Sequence, residues 1–367
     1  MRLVTRMFAL GTLCLSSLCA CGVSLSAADS KEGETVYSNG FDKPPGEEWS
    51  SRQTMETPEG KRRFLGDFAP GTVTLTLDGL AKHKMVRIVF DLYLVRSWDG
   101  SSTTWGPDVW ELKTGDGRKL VHSTFTNCGF FSDNNAQTFP DFHPFPVTHP
   151  GATGAAEHET LGFVMGWDGR PHSTDAVYHF DLVFPHAGKK LVLDFSSICK
   201  DKKEDQSWGL DNVKVQILTA PLPLEKGGDG SALWDALASS NPVVAYRAMW
   251  KLIGAGKEGV DYLRKHLSES GCDVAKERKE IDKLILELDA DKYSERENAS
   301  KKLARMGGAY RDILERVSKN SKSPEVRYRL KKILRGMGSE VGSGTDKKTI
   351  RRARIKHALE ILSTNEN

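Results

Sequence analysis

Cysteine is scarce beyond the first 21 residues of this 367-residue chain: of six, only Cys128, Cys199 and Cys272 lie past that point. No CxxC pair occurs, which removes the spacings of zinc cages and dithiol redox sites. Cys128 and Cys199 keep two readings, a disulfide or two buried thiols. Long apolar runs are lacking too. Outside Met7 to Leu18, itself short, nothing approaches the roughly 18 residues that a membrane helix needs. A GxSxG elbow, a phosphate-cradling glycine loop and a Cys-centred nucleophile signature are also missing. So is the paired-carboxylate strand motif that a sandwich-fold glycosidase sets across its scissile bond. These absences point away from catalysis.

What the first thirty residues contain is a leader. Arg2 and Arg6 give a positive start, Met7 to Leu18 an apolar middle, and small residues follow, the order of a secretory signal. Two processing points compete. Ser26-Ala27-Ala28 places small residues before Asp29, giving a signal peptide of residues 1–28, whereas Leu18-Cys19-Ala20-Cys21 resembles a lipobox in which Cys21 carries lipid. Either route exports the chain to the periplasm, cell surface or medium. Lipid on Cys21 is the one membrane attachment expected. The net charge of +3 conceals a split: 29 basic against 20 acidic side chains from Ala232 onward, net +9, and 23 against 29 before it, net −6. Such asymmetry marks two modules.

Residues 29–219 read as β structure. Val73, Leu75 and Leu77 alternate with threonines, and Val86, Ile88, Phe90, Leu92 and Leu94 alternate through the next run, the period of half-buried strands. Further runs lie at Val177 to Phe184, Leu191 to Phe195 and Val213 to Leu218, punctuated by Asp78-Gly79, Asp99-Gly100 and Asp116-Gly117. Many short strands without intervening helices predict an antiparallel β-sandwich, a jelly roll. The span from Ser132 to Thr160, rich in Pro, His, Gly and Asn, is expected to be a long loop.

A Pro/Gly linker, residues 220–231, ends this region and the period then changes to 3.6. Ile281, Leu284, Ile285 and Leu288 share one helical face, as do Leu330, Ile333, Leu334 and Met337, and again Ile355, Ala358, Leu359 and Leu362. Start signals are Asn241 before Pro242, Ser323 before Pro324, and a capping box of Ser294 with Glu297. Ala248, Leu252, Gly256 and Leu263 recur 51 positions later as Ala299, Leu303, Gly307 and Leu314. Two copies of helix, glycine turn, helix predict stacked helix pairs over 232–338. A Gly/Ser linker at 339–346 then leads to a basic C-terminal helix and tail, 347–367, read as a solvated helix end.

Two resemblances add to this. The stretch from Leu233-Trp234 to Leu334, with LWDALASSNPVVAYRAMWKL and DADKYSERENASKKLARMG, resembles HEAT-like helical repeats, which implies a protein partner. The front region resembles a family of secreted bacterial β-sandwich domains of unsettled function, through Ser38-Asn39-Gly40-Phe41-Asp42, FDLYLVRSWDG (90–100), Gly106-Pro107-Asp108-Val109-Trp110 and SWGLDNVKV (207–215). More broadly it is similar to galactose-binding-like and carbohydrate-binding jelly rolls. That resemblance implies a structural Ca²⁺ held by an early acidic residue and an Asp of the last strand, here Asp42 and Asp211, with Asn212 beside them and Asp91 a poorer candidate.

Trp98, Trp105, Trp110 and Trp167 sit beside Gly, Asp and Ser, as loop residues do. Aromatic faces stack on sugar CH faces, and Asp99, Asp108, Asn134, Asn135 and Gln137 would supply polar contacts. The expected ligand is therefore carbohydrate-like. The competing expectation is that these tryptophans pack the ends of the sandwich. His143, His149 and His158, with Glu157 and Glu159, lack metal-site spacing. Specific nucleic-acid recognition is not expected, since the basic helix carries no interleaved aromatics. The chain reads as a non-catalytic exported binding protein, the alternatives being a purely structural adaptor of the cell envelope or a polysaccharide-active enzyme.

Overall fold

Alternating β-branched and polar residues form strands wherever the sequence shows them. The computed structural model describes residues 33–102, 104–127, 136–199, 202–224, 231–269, 274–306, 310–336 and 347–363. The leader with Cys21, and Cys128, Asn134, Asn135 and Cys272, lie outside the described residues. The strands are β1 (Glu34–Asn39), β2 (Thr54–Glu56), β3 (Arg63–Phe68), β4 (Gly71–Leu77), β5 (Met85–Arg96), β6 (Val109–Thr114) and β7 (Lys119–Thr124). After them come the short β8 (Ala136–Gln137), β9 (His149–Pro150), β10 (Glu157–His158), β11 (Val164–Trp167) and β12 (Arg170–Ser173), then β13 (Asp175–Pro185), β14 (Leu191–Ile198) and β15 (Gln206–Leu218).

One sheet has the order β10-β13-β5-β15-β3-β2, with β1 also on β15, and the other has the order β4-β14-β6-β7. All pairings are antiparallel. The predicted alternation sets the inward face: Phe90, Leu92, Leu94, Phe180 and Leu210 from the first sheet share one core with Leu75, Leu112, Leu193 and Phe195 from the second. Each such side chain contributes about 1.5–3 kcal/mol by leaving water. The β-sandwich class is therefore as expected.

The helices are α1 (Ser231–Ala236), α2 (Pro242–Gly254), α3 (Lys257–Glu269), α4 (Val274–Glu287), α5 (Tyr293–Arg305), α6 (Arg311–Asn320), α7 (Pro324–Gly336) and α8 (Lys347–Leu362). Asn241 caps α2 as its sequence signals, accepting from the amides of Val243 and Val244. The expected Ser294 box does not form. Helix α5 begins two residues earlier, with Lys292 at the cap, and Glu297 accepts instead from Arg329 of α7 at 3.3 Å.

The helices expected to stack as repeats divide between two cores and do not form one solenoid. Helices α4 to α7 close around their own core of Ile281, Leu284, Leu288, Leu303, Leu314 and Leu330. Helices α2, α3 and α8 instead join the core of the sandwich through Met249, Leu252, Leu263, Ile355 and Ala358. The linker reading of 220–231 changes accordingly at its start: the Leu222 amide donates to the Gly254 carbonyl at 2.9 Å. Helix α8 changes more. Read as a solvated basic end, it packs on β13, α2 and α3, because its apolar face has no cover except the sandwich and its neighbouring helices. Among the described residues no helix is long and apolar enough to cross a membrane.

Candidate functional site

The connection from β5 to β6 carries four of the residues that the sequence singles out, Trp98, Asp99, Trp105 and Asp108, and it is tied down by hydrogen bonds. The Trp98 amide donates to Asn127 Oδ1 at 3.1 Å and its indole N–H to the Ser207 carbonyl at 3.0 Å. The Ser101 amide donates to the Ala136 carbonyl at 2.7 Å, and the Asp108 amide to the Gly100 carbonyl at 2.8 Å. Asp108 Oδ2 accepts from the Asp99 amide and from the Gln206 side chain. Gly100 holds the bend at φ +61°, where a Cβ would lie 2.2 Å from the Ala136 carbonyl oxygen. No side chain fits there.

On this frame the tryptophans part company. Trp98 and Trp110 are completely buried. The Trp110 ring meets Trp208 edge-on at 6.0 Å and stacks on Phe180 at 5.9 Å. Their expected role as ligand platforms is corrected to core packing, since a sealed ring has no face to offer. Asp108 is buried as well and serves the loop. Trp105 behaves differently. Ser102 Oγ accepts from the amides of Thr104 and Trp105, both at 3.2 Å, and the indole stands out 61 % exposed. Asp99 is half-buried beside the same bend. Trp167 occupies β11 opposite Arg170, and its side chain lies outside the described set. Gln137 is buried, accepting from the Thr126 amide at 3.2 Å and the Tyr178 hydroxyl at 3.2 Å.

The residues expected to hold calcium meet on the outer face of the larger sheet. Asp211 pairs in register with Asp91. Its two oxygens accept from the Tyr93 hydroxyl at 3.0 Å and the Asn212 amide at 2.8 Å. Burial raises the Asp211 carboxyl to about 6, and the charges of Asp91 and Asp42 add to the rise. Asn212 adopts φ +52° at a bulge in β15, a conformation that asparagine tolerates well, and its amide donates to Asp91 at 2.8 Å. Asp42 is exposed. Among the described residues no group of three or more His, Cys, Asp or Glu side chains is arranged to hold a metal ion. Each Asp211 oxygen thus accepts one hydrogen bond, and the Asn212 side chain turns to Asp91.

The histidine-rich loop serves structure. His149 Nε2 lies 2.9 Å from Asp141 Oδ2, and Glu157 takes a two-pronged bond from Arg62 at 2.6 and 2.8 Å that holds its carboxyl at about 2. Sequence reasoning missed the partner of Asp141, which is Arg354 of α8. Nothing local to either residue signals the other.

No family model matches the chain, and no curated protein matches it. Among solved structures, a mannan-recognising carbohydrate-binding module is similar at 10 % identity, over 50 % of this chain and 98 % of that one, with a TM-score of 0.25. A family 35 carbohydrate-binding module from an environmental isolate is similar at 9 % identity over 53 % and 96 %, TM-score 0.19. The K3 adhesin domain of Lys-gingipain from Porphyromonas gingivalis is similar at 10 % over 50 % and 98 %, TM-score 0.23.

Proposed function

We propose that this chain is an exported, non-catalytic binding protein whose sandwich holds a carbohydrate-like ligand at the Trp105 bend. One observation carries the reading. Among the tryptophans with described side chains, Trp105 alone is more than half exposed, and it sits on a bend fixed at both ends by hydrogen bonds to the sandwich. An exposed indole on a rigid support is a preorganised platform, so little ordering free energy is lost when a sugar ring stacks on it. Asp99 and the hydroxyls of Ser101 and Thr104 supply the polar edge that such sites use. The absence of catalytic sequence motifs supports binding without turnover.

A glycan array probed with the full chain tests this. Binding to a defined glycan class that Trp105→Ala removes supports the reading, and silence across the array sinks it. Release of reducing ends from a bound glycan would replace it with an enzymatic one. A purely structural adaptor is the second reading, favoured by the shared core of the sandwich with α2, α3 and α8, and it predicts the silent array.

A further inference from the structure

Helices α5 and α7 run side by side and parallel. Arg329 Nη1 reaches Ser300 Oγ at 3.2 Å across 29 positions, and Arg296 Nε reaches Glu325 at 3.3 Å, also 29 positions apart. Two contacts with one constant offset fix the register. Carried forward, it sets Lys301 and Lys302 of α5 level with Lys331 and Lys332 of α7 to within a residue. The four lysines also keep the same spacing from the buried Leu303 and Ile333, so both pairs face the same way.

Charge is distributed unevenly along these two helices. The acids, Glu295, Glu297 and Glu325, lie in the first halves and are paired with Lys292, Arg329 and Arg296. The second halves hold no acid. From Asn298 to Gly336 there are twelve basic and three acidic residues, net +9. Lys301, Lys302, Lys331, Lys332 and Arg335 are exposed, and none of them forms an ion pair among the described residues. Compensation of the helix dipole does not account for this, because that effect fades beyond the last turn and Lys301, Lys331 and Lys332 precede it. Neighbouring helix axes are about 8–10 Å apart, close to one Debye length in physiological salt. The lysines therefore act as one positive field.

Tyr328 stands 65 % exposed at the N-terminal edge of that field. It lies three, four and seven residues before Lys331, Lys332 and Arg335, hence on the same side of α7. An aromatic ring framed by unpaired cations matches a polymer that alternates sugar rings with negative charges. We infer that the α5–α7 face is a second binding surface, one that takes an acidic polysaccharide by stacking a sugar ring on Tyr328 and placing its carboxylates or sulfates against Lys301, Lys302, Lys331 and Lys332. This surface is independent of the Trp105 bend.

The test uses the full chain and polygalacturonate, with neutral dextran as the control. Calorimetric titration from 50 to 300 mM NaCl should show binding whose log affinity falls against log salt with a slope of about 3 to 5, as counterion release requires. Lys331→Glu with Lys332→Glu should weaken it at least tenfold, and the milder Gln pair should do so in part. Tyr328→Ala should weaken it about fivefold and leave the salt slope alone, and Trp105→Ala should leave it untouched. No binding at 50 mM salt, or binding indifferent to the lysine changes, overturns the inference. Equal capture of duplex DNA or phosphatidylglycerol vesicles, with Tyr328→Ala silent, overturns it as well, by showing a polyanion surface without a sugar preference.

Discussion

Arg354 and Asp141, 213 positions apart, close a buried two-pronged ion pair at 2.7 and 2.8 Å that fastens the last helix to the sandwich. The remaining guanidinium nitrogen donates to the carbonyls of Leu237 and Ser239 at 2.8 and 3.0 Å. His149 supports Asp141 from the other side. One side chain thus ties α8, the turn before α2 and the long loop of the sandwich. The sandwich and these helices also share one hydrophobic core.

Removing one partner leaves the other charge buried and unpaired. Arg354→Ala or Asp141→Ala should therefore lower unfolding stability by about 3–5 kcal/mol, read from urea denaturation. The double change Arg354→Met with Asp141→Leu should recover much of that loss. Equal stability of the wild type and the single variants would show the pair to be idle.

Acid should loosen the same junction. His357 is buried, with its ring stacked on Phe142 at 4.6 Å, and burial pushes its imidazole down to about 4 from 6.5. The folded state then binds fewer protons than the unfolded chain between those values. Its contribution is complete above pH 6.5 and is lost as pH falls through 4, up to about 3 kcal/mol in all. Protection factors along α8, corrected for the intrinsic pH dependence of amide exchange, should fall between pH 6.5 and 4, and His357→Phe should flatten that dependence. An unchanged pH profile in the Phe variant would refute it.

The tryptophans should separate stability from binding. Trp98→Ala and Trp110→Ala should each cost about 3–5 kcal/mol of stability, since both rings are fully buried. Trp105→Ala should leave Tm within about 2 °C of the wild type. A large loss of Tm in the Trp105 variant would place that ring in packing instead.

Chelation offers a fourth check. Because Asp211 and Asn212 are engaged with Tyr93, Asp91 and each other, EDTA should leave Tm unchanged. A rise in Tm with millimolar Ca²⁺ that Asp211→Asn abolishes would show that these side chains rearrange around the ion.

The sequence displays whatever depends on local period. The alternation through Val86 to Leu94 gives β5, the 3.6 spacing of Ile281 to Leu288 gives α4, and Asn241 before Pro242 gives the start of α2. What it hides depends on contacts between distant residues. Trp98 and Trp110 lie beside glycine and aspartate, as loop residues do, yet hydrogen bonds to Asn127 and Ser207 hold the Trp98 ring inward and the pairing of β6 does so for Trp110. Arg354 sits in a basic run whose composition says solvent, and only the apolar residues at 355, 358 and 362 hint that the helix is docked. Glu297 completes a capping pattern with Ser294, but the longer reach to Arg329 wins. Of the candidate site, Trp105 was visible in the sequence, though nothing there distinguished it from the tryptophans of the core.

The indole N–H resonances of the ¹⁵N-tryptophan-labelled full chain, titrated with the best glycan from the array, test the central claim most directly. The Trp105 signal, assigned by its loss in Trp105→Phe, should move with ligand while those of Trp98, Trp110 and Trp208 stay in place. A titration that moves a buried indole and leaves Trp105 still, or that moves none, would contradict a carbohydrate site at this bend.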